Sequence, residues 1–269
     1  MLSPDASQEV SSALIRVEGL RCGYPGHEVL KGVSFEVQPG ELVGILGPNG
    51  SGKTTLLLTL TGVVPLQEGE VSILGSPLER LNAKDRARRM AAVAQESQIR
   101  FPYSCLEIVR MGRYPHQKRW QMDSLEDERV VRRCVEIMDI QELSHRLISA
   151  TSGGERQRVV MGRALAQEAP VLLLDEATSA MDVHRKLQVF RVLDRLNREE
   201  GLTVLTVLHD VNLAALFCRR MIFLKEGAVV ADGPTEEVLT AEILERVYET
   251  RVWVQDVPMT GKRQVVFLP

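Results

Sequence analysis

Residues 14–20 (Leu-Ile-Arg-Val-Glu-Gly-Leu) and 33–37 (Val-Ser-Phe-Glu-Val) alternate apolar and polar side chains, the period of half-buried strands. Residues 41–46, 171–174 and 203–208 are instead short, nearly continuous apolar runs, the pattern of strands buried on both faces. Residues 69–74, closed by Gly75, and 90–95, ending on the polar Gln95, add two further strands. Helical spacing takes over in between. Residues 55–60 read as a helix ending near Gly62, and 104–113 as one opened by a Ser104-x-x-Glu107 capping box. A helix follows Ser124 with Val130, Val131, Cys134, Ile137 and Met138 on one stripe. Others run from Ser152 to Ala166, stopped by Pro170, and from Asp182 to Arg198, with Leu187, Phe190, Leu193 and Leu196 inward and Gly201 beyond the end. Residues 221–225 and 228–232 form a hairpin over Glu226-Gly227. The tail holds one helix, 236–250, and two strand pieces, 251–255 and 264–268, while residues 1–12 read as a loose tail. Alternating strands and helices in the centre imply an α/β fold, a parallel sheet wrapped by helices. The first 80 residues or so are β-rich, and the helical block from 96 interrupts the pattern as a separate lobe.

Composition narrows the classes. With 269 residues, 44% hydrophobic and 26% charged, the chain can bury a large core. A net charge of −3 leaves no electrostatic footprint for nucleic acid, and the basic run 84–89 reads as a solvated helix face. Cys22, Cys105, Cys134 and Cys218 lie far apart without C-x-x-C, so the pattern indicates neither a disulfide framework nor zinc, and reduced cytosolic thiols are the simplest account. Residues 1–10 lack the basic start and apolar core of a signal peptide, and no apolar run approaches a bilayer span. Action at a membrane would therefore go through a partner.

The candidate chemistry begins at residues 47–54, Gly-Pro-Asn-Gly-Ser-Gly-Lys-Thr, which fit G-x-x-x-x-G-K-[ST] between a strand and a helix. Glycines let the loop turn its N–H groups inward, and the helix start adds positive potential, so a polyphosphate can be cradled. Lys53 would reach the β- and γ-phosphates and the Thr54 hydroxyl would hold Mg²⁺. A glycine-rich turn that only starts a helix is the structural alternative, and the strand-before, helix-after context argues against it. Asp175 and Glu176 follow a buried strand, where two adjacent carboxylates repel unless a cation is near; the division of labour is Asp175 at the metal and Glu176 as base for a water. Alone, the pair could be an acidic turn. Residues 152–155 (Ser-Gly-Gly-Glu) are equally a capping box or, because two glycines weaken a helix while exposing its N–H groups, an anion site. Gln95 and His209 carry little alone.

Taken in order, residues 47–54, Gln95, 152–157, 171–176, 179–182 and His209 resemble the ATP-binding subunits of ABC transporters over nearly the whole chain. The resemblance implies a P-loop NTPase core with a parallel sheet, an N-terminal antiparallel β subdomain and an inserted α-helical subdomain. The core would span 13–95 and 165–269, and the helical subdomain with the signature motif 96–164. It implies ATP and Mg²⁺, with Gly47, Pro48, Asn49, Gly50, Ser51, Gly52, Lys53, Thr54 and Thr55 around the phosphates. Thr54, Gln95 and Asp175 would stand at the metal, Glu176 as base, His209 at the γ-phosphate, and Tyr24 stacked on adenine. Tyr24, in Gly-Tyr-Pro-Gly, could equally be a turn residue. Ser152, Gly153 and Gly154 would act on the ATP of a second copy packed head to tail, with Asp182 at that interface. Thr151 and Met181 depart from the usual leucines.

Residues 101–117 and the tail, with 233–240 and Val247-Tyr248, are similar to the subgroup serving importers of iron-siderophores, haem and cobalamin. That subgroup implies transmembrane permease subunits docked beside Gln95, a substrate-binding protein engaged indirectly, and a peripheral place on the cytoplasmic face of the inner membrane. Phe101, Tyr103, Met111 and Tyr114 are the candidate contacts, Met111 reading better as core. Two other classes compete. A soluble ABC-type ATPase in DNA repair or translation would bring a coiled-coil insertion, paired cassettes or a basic surface. A small-molecule kinase would share the phosphate loop but lack the Ser-Gly-Gly helix start.

Overall fold

The structure, a computed structural model, describes residues 13–95, 101–117 and 124–269. The expected loose tail, residues 1–12, and parts of the expected helical lobe, 96–100 and 118–123, lie outside the described residues. Strands β1 (Ile15–Tyr24) and β2 (His27–Val37) form a hairpin in which Tyr24 faces His27 across Pro25-Gly26. Then come β3 (Leu42–Leu46), α1 (Lys53–Leu60), β4 (Glu68–Ile73), β5 (Ser76–Pro77), α2 (Ala83–Arg89) and β6 (Met90–Val93). The lobe contributes α3 (Cys105–Arg110), α4 (Leu125–Ile137) and α5 (Gly153–Ala166). The chain returns through β7 (Val171–Asp175), α6 (Val183–Glu200), β8 (Thr203–Val207), α7 (Val211–Phe217), β9 (Arg220–Lys225) and β10 (Ala228–Pro234). It ends in α8 (Thr235–Val238), α9 (Ala241–Tyr248), β11 (Val252–Val257) and β12 (Lys262–Phe267).

The larger sheet has the order β10-β9-β3-β8-β7-β6, parallel except for the β10 edge. An antiparallel sheet, β2-β1-β4-β5, lies apart from it. Strand alternation divides the interior in two. Leu172, Leu174, Met221 and Phe223 point to the side covered by the helices, while Val171, Leu173, Ile222 and Leu224 point to α1 and the antiparallel sheet. Because each central strand is buried on both faces, it reads in sequence as a continuous apolar run.

Three elements differ from the sequence reading. The tail helix is two helices: Leu239 turns fully into the core, and Thr240 caps a new start by accepting from Ile243 N–H. A helix not anticipated, α7, follows His209 and is capped by Asp210, which accepts from the N–H groups of Asn212 and Leu213. The basic helix α2 buries no residue, yet it is more than a solvated face. Arg88 and Lys84 donate to the carbonyls of Pro115 and Gln117, and Arg89 to that of Ile73.

Within the lobe, Arg113 is a buried junction. Its guanidinium donates to Asp127 at 2.8 Å, to the Ala166 carbonyl at 2.7 Å and to Glu168 at 2.7 Å. It thereby ties the turn after α3, the first turn of α4 and the end of α5. The Arg113 hydrogen bond holds the Asp127 carboxyl down to about 2, against an ordinary 3.8, with Ser124 helping through the α4 capping box. A depressed folded-state pKa means the ionised Asp127 stabilises the fold above about pH 4, and that this contribution disappears as pH falls through 2. Asp127→Asn should therefore lower the melting temperature clearly at pH 7 and much less at pH 2. An equal deficit at both would show that charge at Asp127 is irrelevant.

Candidate nucleotide site

The phosphate loop is shaped by close approaches that only glycine permits. Gly47 leaves β3 with φ near 148°, and a Cβ there would lie 2.0 Å from the Leu224 carbonyl oxygen on β9. Gly52, at φ 101°, starts α1 with no side-chain cap and no acidic residue in the first turn, so the N–H groups of that turn are left for a ligand. The buried Ser51 hydroxyl has no hydrogen-bond partner among the described residues. Lys53, 5% exposed, folds back to donate to the carbonyls of Gly47 at 2.9 Å and Pro48 at 2.8 Å. Burial pulls the Lys53 pKa down, while Glu176 and Asp175 act in the opposite sense. An orphaned hydroxyl, an uncapped helix start and a cation parked on carbonyls together fit a polyphosphate. Thr54 Oγ1 donates to Asp175 Oδ1 at 3.3 Å, which puts two hard oxygen donors side by side and suits Mg²⁺. Burial raises the Asp175 pKa, and the Thr54 hydrogen bond offsets part of that rise.

Glu176 stands one residue further on, in a left-handed backbone conformation at φ 48° that few non-glycine residues adopt. Its backbone is fixed by Glu176 N–H donating to the Val207 carbonyl and by Ser179 N–H donating to the Glu176 carbonyl. The carboxylate is held from both sides. Gln95 Nε2 donates to one oxygen at 2.8 Å, and His209 Nε2–H donates to the other. Gln95 ends the β6 connection, Glu176 follows β7 and His209 follows β8, so three neighbouring strands deliver one cluster at their carboxyl ends. Asn49, Gly50 and residues 52–55 of the loop, with Glu176 and His209, line one cleft of about 330 Å³.

Tyr24 lines the same cleft at the tip of the β1–β2 hairpin, its side chain 46% exposed. It is a turn-flanking residue and a cleft residue at once. Gly23 makes that possible, because a Cβ there would lie 2.1 Å from the His27 carbonyl oxygen. His27 and Val29 also line the cleft and escape the sequence reading. The extension of strand alternation through β2 is the signal that could have found them.

Ser152, Gly153, Gly154 and Asp182 are not among the residues lining this cleft. Ser152 caps α5 in a capping box, accepting from Glu155 N–H while its own N–H donates to Glu155. A Cβ at Gly153 or Gly154 would meet nothing nearer than 3.4 and 3.7 Å, so nothing among the described residues requires glycine there. Asp182 caps α6 by accepting from Arg185 N–H and is exposed. The two departures from leucine are accommodated: Thr151 is buried with its hydroxyl donating to the Ile148 carbonyl, and Met181 is buried in the core. On the lobe, Phe101, Tyr103 and Tyr114 expose their rings, the first two with centroids 6.1 Å apart, while Met111 packs against the core.

Known proteins share this arrangement. The family model described as ABC transporter matches residues 30–179. The ferric enterobactin transport ATP-binding protein FepC of Escherichia coli K12 is 37% identical over 95% of this chain and 94% of its own length. The hemin import ATP-binding protein HmuV of Streptomyces coelicolor is 41% identical over 98% and 92%. Among solved structures, the dimeric post-hydrolysis ATP-binding cassette MJ0796, bound to ADP and phosphate, superposes with a TM-score of 0.74 at 30% identity, covering 82% of this chain and 98% of that one. With the phosphate loop, the strand-end carboxylates and the ordered glutamine and histidine in place, the chain belongs to the ABC transporter family as one of its ATP-binding, ATP-hydrolysing cassettes.

Proposed function

We propose that the chain is the energy-supplying subunit of an importer for iron-siderophore, haem or cobalamin-like cargo, and that it hydrolyses ATP from a peripheral position on the cytoplasmic face of the membrane. The observation that carries the chemistry is the Glu176 carboxylate, held by Gln95 and His209 at the cleft that Lys53 and Thr54 line. Lys53 leaves its carbonyls for the β- and γ-phosphates, and the loop N–H groups take the remaining phosphate oxygens. Thr54, Asp175 and Gln95 would hold Mg²⁺, which neutralises charge on those oxygens when bound. Glu176 accepts the proton of the attacking water. A γ-phosphate competes with Glu176 for the His209 N–H, which frees one carboxylate oxygen for that water. The adenine stacks on Tyr24.

The same reading makes the active form a head-to-tail dimer in which Ser152, Gly153 and Gly154 close over the partner's nucleotide and Asp182 lines the interface. Two successive glycines in the first turn of α5 weaken that helix start relative to alanine. The absence of any close contact at them among the described residues supports an approach from outside the chain. The division into a nucleotide-binding core, 13–95 and 165–269, and a helical subdomain, 96–164, belongs to this reading. So does docking of the permease on Phe101, Tyr103 and Tyr114, with the substrate-binding protein reached only through that permease. No helix among the described residues is long and apolar enough to cross a membrane, in keeping with a borrowed anchor. The names of FepC and HmuV support import over a non-transport ATPase or a kinase.

Mixed dimers test the composite site. A Ser152→Ala subunit paired with a Lys53→Ala subunit keeps one complete trans site, so hydrolysis should exceed that of either homodimer. Ser152→Ala also removes a helix cap worth about 1 kcal/mol, and that cost is present in its homodimer too. Mixed dimers as inactive as the homodimers would sink the trans arrangement. Co-purification with the membrane partner, followed by a screen for the cargo that stimulates ATPase activity, tests import.

A further inference from the structure

The C-terminal segment is built into the nucleotide site at two points. The first is behind His209. Helix α7 starts two residues after it, and Asn212 in its first turn faces β12, donating through Nδ2 to the Val265 carbonyl at 3.1 Å and accepting from Val265 N–H at 2.7 Å. The side-chain amide thus pairs with β12 as another strand would, and Val265 is buried against α7. The second point is behind the phosphate loop. Tyr248, the last residue of α9, packs its ring edge-on against Phe267 at 5.7 Å and buries its hydroxyl. That hydroxyl completes no hydrogen bond of ordinary length among the described residues. Burial pushes its pKa up to about 12, with the Gly47 backbone acting in the opposite direction. Lys225, at the end of β9, secures the same corner by donating to the Arg246 carbonyl at 2.8 Å and to Glu249 at 2.6 Å, clamping the end of α9 beside the strand against which Gly47 is packed.

We propose that the C-terminal segment is a positioning element for the nucleotide site, with Asn212 setting the helix behind His209 and Tyr248 setting the first residue of the phosphate loop. The proposal rests on the ATPase reading above and goes beyond it. The two residues act on different stages. Asn212 works through His209, which engages the γ-phosphate, so its loss falls on turnover. Tyr248 works through Gly47, so its loss falls on nucleotide affinity. Coupling of this kind is reciprocal: a hairpin that biases the site must itself respond when nucleotide binds.

The hairpin carries its own reporter. Trp253, on β11, is exposed and is one of two tryptophans in the chain. In the full-length chain with Trp120→Phe as background, ADP and a non-hydrolysable ATP analogue should change Trp253 emission, and Asn212→Ala and Tyr248→Ala should each reduce that change. In steady state, Asn212→Ala should lower kcat about fivefold with KM for ATP within about twofold, and Tyr248→Ala, which removes the ring packed on Phe267, should raise KM about threefold with kcat preserved. A merely structural role would instead lower kcat and raise KM together in both variants, along with a lower melting temperature. That result, or a Trp253 emission indifferent to nucleotide, overturns the proposal. The Glu176→Gln chain separates the two readings, because it should lose hydrolysis yet keep the full emission response.

Discussion

Glu176→Gln is expected to reduce ATP turnover about 10²–10⁴-fold, the range general-base catalysis supplies, while nucleotide binding survives. The substitution keeps the side-chain volume and keeps one oxygen to accept from Gln95 or His209, so the cluster that positions it is nearly intact. What disappears is the basic carboxylate that takes the water proton. With binding preserved and hydrolysis stopped, the two copies should remain closed on ATP. Size-exclusion chromatography with ATP and Mg²⁺ should then show a dimer that ADP does not support. Wild-type turnover in this variant would remove Glu176 from the role of base, and loss of ATP binding would show that its main part is electrostatic.

Lys53→Ala is expected to weaken ATP binding about 10- to 100-fold, the size of a lost hydrogen bond to a charged group. In the structure the ammonium group rests on the Gly47 and Pro48 carbonyls, against a desolvation that pulls its pKa down. It is held short of water, poised to exchange two neutral acceptors for charged phosphate oxygens. Alanine removes that exchange and leaves the backbone of the loop in place. Equilibrium binding of a fluorescent ATP analogue measures the loss. Unchanged affinity would mean that the loop N–H groups carry the phosphates alone.

How much of this was legible depended on how local the cause was. The strands β3, β7 and β8 announce themselves because burial on both faces forces unbroken apolar runs. The phosphate loop is legible because backbone geometry and ligand chemistry constrain eight adjacent residues together. Helix α7 was hidden: seven residues are too few to show a period, and its cap, Asp210, reads as the end of the preceding strand. The break at Leu239 and Thr240 was hidden because only tertiary burial of Leu239 distinguishes it from a continuous amphipathic helix. Within the site, Gln95 and His209 gain meaning only when three strand ends converge on Glu176, and before that the family resemblance alone singled them out. The clamping of the end of α9 to β9, the strand against which Gly47 packs, leaves no local trace at all, since the pieces are far apart in sequence and meet only in the fold.

The Arg113 junction has a mechanical side. It fastens the turn that bears the exposed Tyr114 to the carboxyl end of α5, whose other end begins at Ser152. Those 14 residues form a rod of about 21 Å. With its rear end gripped by a buried guanidinium rather than by exchangeable surface contacts, the rod has little slack. A push delivered at the lobe's aromatic surface is therefore carried along the rod to its Ser152 end, which the dimer proposed above would set against the partner's nucleotide.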